Sequence, residues 1–264
     1  MKLSVIIPVY NEETTIQTVV GKVLAVELPG MEREIIIADD GSTDSSPRVI
    51  EGLREAHARL VRVHTSLINL GKGAAIRFGL EYATGDIAII QDADLELNPE
   101  EYGRLVQPIL EGTADVVYGS RFARGGRNIP LRTRLGNRLL VLATNLLFGS
   151  GLTDMETSYK VFPVEVVRRL RLRCVSFDIE PELTARLLQI GQRIVEVPIS
   201  YNPRTVDEGK KISWRDGFAA LYTLLRCRFT APEFRTAALP ERHRPPAEPD
   251  DARRTPSAAE RLRP

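Results

Sequence analysis

The amino-acid sequence predicts an α/β fold: a doubly wound, mostly parallel sheet with helices on both faces. Three observations carry this. Short apolar, β-branched runs alternate with helix-periodic segments through the first 118 residues, the order of βαβ units. Runs such as Ile35-Ile36-Ile37 and Ile87-Ala88-Ile89-Ile90 are apolar without alternation, as strands covered on both faces are. Polar motifs follow four of these runs, and in such sheets ligands bind beyond the carboxyl ends of the strands.

Residues 3–9 form the first predicted strand and 12–26 the first helix. The second strand covers 34–38 and its helix 45–58. A third strand at 60–64 precedes a helix at 73–83. A fourth strand, 86–91, and a short fifth, 115–118, complete this part. After about residue 120 the pattern changes. Arg121, Arg124, Arg127, Arg132, Arg134 and Arg138 crowd one region, and Leu135, Leu139, Leu142 and Leu146 share one helical face. A last strand is expected at 194–199. Residues 212–229 carry Trp214, Phe218, Leu221, Tyr222, Leu225 and Phe229 at near-helical spacing. From about Arg235 the chain is rich in Pro and charge, the composition of a disordered tail. The expected organisation is a catalytic domain at 1–211, an amphipathic helix at 212–234 and a polar tail at 235–264.

The chain has 264 residues, 43% hydrophobic and 27% charged, and a net charge of +1 that argues against a generic nucleic-acid binder. Cys174 and Cys227 lie far apart and read as reduced thiols of a cytosolic protein. The N-terminus reads as a strand rather than a signal peptide. No run reaches the roughly 18 apolar residues of a spanning helix, so membrane contact is expected to be peripheral.

The most informative stretch is Gln91-Asp92-Ala93-Asp94-Leu95-Glu96. Asp92 and Asp94, one residue apart at a strand end, point to one side. Close carboxylates repel unless a cation joins them. A divalent ion carrying a nucleoside diphosphate would supply it, because Mg2+ takes one or two carboxylates and completes its shell with phosphate and water. A solvated acidic turn is the plain alternative. Asp39-Asp40-Gly41-Ser42 offers an acceptor for base or ribose donors, but the same residues suit a turn and helix cap. Gly71-Lys72-Gly73 opens a helix and could face phosphate, though it lacks the spacing of a Walker loop. The arginine cluster beside an apolar face suits lipid-borne phosphate, with ordinary surface charge as the alternative.

Together these blocks resemble an inverting glycosyltransferase of family 2 with a GT-A fold. The resemblance rests on Val5 to Glu13, Asp39 to Asp44, Asn69 to Gly73, Asp92 to Asp94 and Gly119-Ser120-Arg121. Asp154 to Phe162, Ser176 to Glu180, and Val197 through Arg204 to Ile212 are similar to polyprenyl-phosphate hexosyltransferases. The resemblance implies that Pro8, Tyr10, Asn11, Glu12 and Asp39 hold the donor nucleoside, with Lys72, Asp92 and Ala93 beside it. It implies Mg2+ or Mn2+ at Asp92 and Asp94, with Glu96 as a third ligand. Arg121, Arg204 and Lys211 would meet donor or acceptor phosphates, and Arg132 and Arg134 the acceptor. The donor is expected to be GDP-mannose or UDP-glucose and the acceptor a polyprenyl phosphate, at the inner face of the membrane. A soluble or polysaccharide hydroxyl acceptor is the alternative. It would need a carboxylate base, for which Asp178 and Glu180 are the candidates. Many members carry spanning helices after the catalytic domain, and none is evident here. The 131–146 face and the 212–229 helix are expected either against the bilayer interface or packed on the catalytic domain or another subunit.

Overall fold

The computed structural model describes residues 1–123, 129–203 and 214–234. The strands are β1 (Lys2–Val9), β2 (Glu32–Asp39), β3 (Val61–Thr65), β4 (Ile87–Ile90), β5 (Val116–Ser120), β6 (Lys160–Pro163) and β7 (Ile194–Pro198). The helices are α1 (Ile16–Ala25), α2 (Ser46–Ala56), α3 (Lys72–Tyr82), α4 (Tyr102–Leu110), α5 (Leu131–Phe148), α6 (Val164–Arg169), α7 (Ile179–Gln189) and α8 (Trp214–Phe229). All seven strands join one sheet in the order β3-β2-β1-β4-β6-β5-β7. β1 pairs in parallel with β2 and β4, β2 with β3, and β5 with β7. β6 runs antiparallel between β4 and β5. The α/β class with helices on both faces is as expected, and β6 makes the sheet mixed.

Side chains alternate strictly across the sheet. Leu3, Val5, Ile7, Ile35, Ile37 and Ile89 meet α1 and α4 on one face. Ile6, Ile36, Ala88 and Ile90 meet α3 and α7 on the other. Burial on both faces explains the unbroken isoleucine runs.

β6, α4, α6 and α7 escape sequence reading, three of them for identifiable reasons. β6 is four residues long, starts with a charge and ends in Pro163. α4 carries Pro108 near its end. Residues 179–187 of α7 are all buried, so the helix lacks the polar face that marks amphipathic periodicity. Beneath one side of α7 lies the sheet; over the other lie α5 and α8. Val141, Met155, Ala185, Leu224 and Cys227 form the small core between these three helices.

α5 and α8 turn their opposite sides outward. Leu131, Leu135, Leu139, Leu142 and Leu146 are exposed on α5, as are Phe218, Leu221, Tyr222, Leu225 and Phe229 on α8. These apolar side chains therefore stay largely exposed on the described chain. Residues 235–264, expected as a polar tail, lie outside the described residues.

Glu34 ties the far end of the sheet together. Its carboxylate accepts hydrogen bonds from Ser4 Oγ at 2.7 Å and Thr84 Oγ1 at 2.8 Å, and lies 2.7 Å from Lys2 Nζ. Burial opposes its ionisation, yet Lys2, Thr84 and Ser4 together hold its pKa down to about 2. A depressed native pKa gives stability that is present above the ordinary carboxylate value and lost as pH falls toward 2. Acid unfolding followed by circular dichroism should therefore show Glu34→Gln less stable than wild type at pH 7, with the gap closing between about pH 4.5 and 2. A gap that stays constant over that range would contradict this account.

Candidate active site at the carboxyl edge of the sheet

The ends of β1 and β2 are clasped by reciprocal hydrogen bonds. Asn11 N donates to Ser42 Oγ at 2.9 Å, and Asn11 Oδ1 accepts from Thr43 N at 2.8 Å. Glu12 N donates to Ser46 Oγ at 2.8 Å. Asn11 holds a left-handed backbone, φ 54°. A non-glycine residue rarely does so, and such strain gathers at functional sites. Asp39 Oδ1 accepts from Ser42 N at 3.1 Å, so the turn role is real. Its Oδ2 is buried with no partner, which leaves one acceptor for a ligand donor. Pro8 and Tyr10 are half-buried beside it, and Glu12 is 8% exposed.

Asp40 braces the next loop. Its two carboxylate oxygens accept from Leu70 N at 2.9 Å and Gly71 N at 2.6 Å. The glycines of Gly71-Lys72-Gly73 serve chain packing. A Cβ on Gly71, whose φ is 106°, would lie 2.4 Å from Val175 O; one on Gly73 would lie 2.8 Å from Cys174 O. Ala74 N donates to Val175 O at 3.0 Å. Only glycine admits this contact between α3 and the 174–176 segment.

Lys72 points into the site. Its Nζ lies 2.8 Å from Asp92 Oδ1, 2.7 Å from Ser158 Oγ and 3.3 Å from Glu180 Oε1. Burial disfavours its charge, but Asp92 and Glu180 outweigh burial and raise its pKa. Reciprocally, burial disfavours the Asp92 carboxylate, and Lys72 together with Ser158 and Arg121 lowers its pKa. The Asp92 backbone is anchored from below: its carbonyl accepts from Gln91 Nε2 at 2.9 Å. Gln91 Oε1 in turn accepts from the hydroxyls of Tyr102 and Tyr159. Ala93 is 4% exposed and its side chain belongs to the core. Leu95 is left-handed, φ 63°, which lets Glu96 N donate to Asp94 Oδ1 at 3.1 Å. Glu96 Oε2 accepts from Tyr201 OH at 2.9 Å.

Among the described residues no group of three or more metal-capable side chains gathers. Glu96 sits with Tyr201 rather than completing a three-carboxylate set. Asp92 and Asp94 on one turn still fit a divalent ion that draws its remaining ligands from phosphate and water.

Arg121, at the end of β5, is held by Asp154. Its Nε and Nη2 donate to the two carboxylate oxygens at 2.7 and 2.8 Å, and its backbone N donates at 3.0 Å. Burial works against the guanidinium charge and Asp154 more than restores it, so its pKa is raised. Its Cζ lies over the Tyr201 ring, 5.2 Å from the centroid. Glu180 is 3% exposed, with Lys160 Nζ 2.5 Å from Oε2 and Lys72 near Oε1. Asp178 accepts from Ser176 N within its own turn. Arg132 and Arg134 are exposed on the first turns of α5. Arg204 and Lys211 lie outside the described residues, as do Arg124 and Arg127.

The glycosyl transferase family 2 model matches residues 4–171, well over half of the chain. The chain belongs to glycosyl transferase family 2. It is 30% identical over 214 residues to the polyprenol monophosphomannose synthase of Mycolicibacterium smegmatis, covering 78% of this chain and 79% of the relative. It is 30% identical over 219 residues to the undecaprenyl-phosphate mannosyltransferase of Micrococcus luteus, covering 80% and 87%. In fold it is similar to the Mycobacterium tuberculosis glucosyl-3-phosphoglycerate synthase, solved with Mn2+, UDP and product. The TM-score is 0.65 at 24% identity, with 86% of this chain and 79% of that one covered. The same synthase was also solved with Mg2+ and UDP.

The sequence of this family 2 glycosyltransferase hid several supporting residues. Asp154, Ser158 and Lys160 lie at even positions along the segment entering β6, and each engages a charged group of the site. That spacing is visible in the sequence, but its partners Arg121, Lys72 and Glu180 are 20 to 86 residues away. Tyr201, which joins Glu96 to Arg121, carries no local signal.

Proposed function

We propose that this glycosyltransferase moves a hexose from a nucleoside diphosphate sugar to a polyprenyl phosphate at a membrane surface, with inversion at the anomeric carbon. The observation that carries this reading is the outward apolar face of α5 and α8 on a protein with a two-carboxylate turn at its sheet edge. Both named sequence relatives are polyprenol or undecaprenyl-phosphate mannosyltransferases, which supports it. Asp39 Oδ2, with Pro8, Tyr10, Asn11 and Glu12, receives the nucleoside. Asp92 and Asp94 would hold Mg2+ or Mn2+, which when bound neutralises the diphosphate leaving group. Arg121, locked by Asp154, keeps a fixed positive charge beside it. Lys72 balances Asp92 and Glu180. Arg132 and Arg134, with Arg204 and Lys211, remain the candidates for the acceptor phosphate.

A phosphate acceptor arrives as an anion and needs no base, so positioning and charge balance suffice. A hydroxyl acceptor needs one. Of the two carboxylates the sequence suggested, Glu180 is engaged by two ammonium groups and Asp178 by its own turn, which favours the phosphate. The test is acceptor choice: polyprenyl phosphate should accept the hexose and the matching polyprenol should not. Nuclear magnetic resonance of the product should show an inverted sugar phosphodiester. Transfer to the free polyprenol would contradict the reading.

No described helix is long and apolar enough to cross a membrane. The α5 leucines form a stripe flanked by Arg132 on one side and Arg134 and Arg138 on the other, the layout of an interfacial helix over anionic lipid. Wild-type protein should float with phosphatidylglycerol-containing vesicles. The Leu135→Glu, Leu139→Glu, Leu142→Glu triple variant should lose at least about tenfold in bound fraction, given roughly 1.5–3 kcal/mol per leucine buried. All three are exposed, so the fold should survive. Equal flotation of both proteins would contradict the assignment of this face.

A further inference from the structure

Glu156 lies in the segment entering β6, between Asp154, which holds Arg121, and Ser158, which touches Lys72. Its side chain is half-buried, yet its Oε1 is fully buried and accepts no hydrogen bond. The charged groups facing it are Lys160 from β6, Glu180 from α7, Arg121 from β5 and Asp154 from its own segment. It shares Arg121 with Asp92, and its neighbour Glu180 is also met by Lys72, which holds Asp92. A buried carboxylate oxygen without a donor is costly, and native proteins rarely leave one so. The missing donor is then a ligand group. Phosphates offer acceptors, not donors, whereas sugar hydroxyls donate. On the reading above, the sugar ring lies one bond beyond the diphosphate held at Asp92 and Asp94.

We infer that Glu156 is a specificity-determining residue that accepts hydrogen bonds from hydroxyls of the transferred hexose. This rests on the donor being a nucleoside diphosphate sugar. Its carboxyl is also pushed up to about 7, by burial first and then by Glu180 and Asp154, against the pull of Lys160 and Arg121. Hydroxyl donors favour the carboxylate, so sugar binding should strengthen as pH rises through 7.

The test uses the full chain with Mn2+ and isothermal titration with GDP, UDP, GDP-mannose and UDP-glucose. Glu156→Ala and Glu156→Gln should bind the free diphosphate within about twofold of wild type. Both should bind the matching diphosphate hexose at least about tenfold more weakly, the loss of one hydrogen bond to a charged group. The gain in wild-type hexose affinity above pH 7 should vanish in Glu156→Gln. Unchanged hexose affinity overturns the inference. So does loss of free-diphosphate affinity in both variants, which would mark Glu156 as a structural support. Intact hexose affinity with slowed turnover would make Glu156 a base and also overturn it. If wild-type protein binds none of the four ligands, the donor assignment itself fails.

Discussion

Replacing Asp94 with Asn is expected to lower hexose transfer by about 1000-fold while leaving the protein folded. Asn keeps an oxygen to accept from Glu96 N, so the left-handed turn at Leu95 stays capped. What disappears is one of two charges available to a divalent ion. The charge that grows on the diphosphate leaving group then loses several kcal/mol of stabilisation, and removing one such stabilising group costs about 100–1000-fold. Turnover of labelled donor checks the rate, and calorimetric titration with Mn2+ should show weaker binding. Asp92→Asn should behave differently in one respect: Lys72 would face Glu180 and Ser158 without Asp92, so stability should fall as well. Retention of more than a tenth of wild-type turnover in Asp94→Asn would contradict its role.

Asp154→Ala should be the most destabilising single change near the site. Asp154 is wholly buried and meets three donors of Arg121. Removing it strands a guanidinium that is only 12% exposed. Breaking a buried pair this way costs about 3–5 kcal/mol, because the remaining charge has no compensation. For a chain of this length that corresponds to roughly 10 °C in Tm. The double variant Arg121→Met, Asp154→Leu should recover most of the stability, since an apolar pair carries no stranded charge. It should not recover activity, because the fixed positive charge beside the leaving group is gone. Thermal unfolding and donor turnover on the same samples separate the two effects. A double variant that is active would contradict the role of Arg121.

The fold was legible wherever burial left a periodic trace. The isoleucine runs of β1, β2 and β4 mark strands covered on both faces, and the polar residues at their ends mark the ligand edge. β6 and α7 were illegible for the opposite reason. Lys160 reads as a surface residue, yet it is fully buried because Glu180 answers its charge. Glu180 and Glu182 read as a polar helix face, yet both are buried and neutralised by Lys160 and Arg226. Charge–charge partners distant in sequence override hydropathy, and no local pattern announces them.

The site shows the same division. Asp92, Asp94 and Asp39 could be picked from strand ends alone. Gly71 and Gly73 could be picked as special, but their reason could not, because the backbone they admit comes from residues 174–176. Arg121 was found as one of a cluster. Only the structure shows that Asp154 and Tyr201 separate it from the exposed arginines of α5.

The most direct measurement incubates the purified full chain and Mg2+ or Mn2+ with labelled GDP-mannose or UDP-glucose, with and without a short polyprenyl phosphate, and counts the organic phase. Label is expected in that phase from one donor, only with metal and lipid together, and none with Asp94→Ala. Metal-dependent donor turnover that leaves the organic phase unlabelled would contradict the lipid-phosphate acceptor.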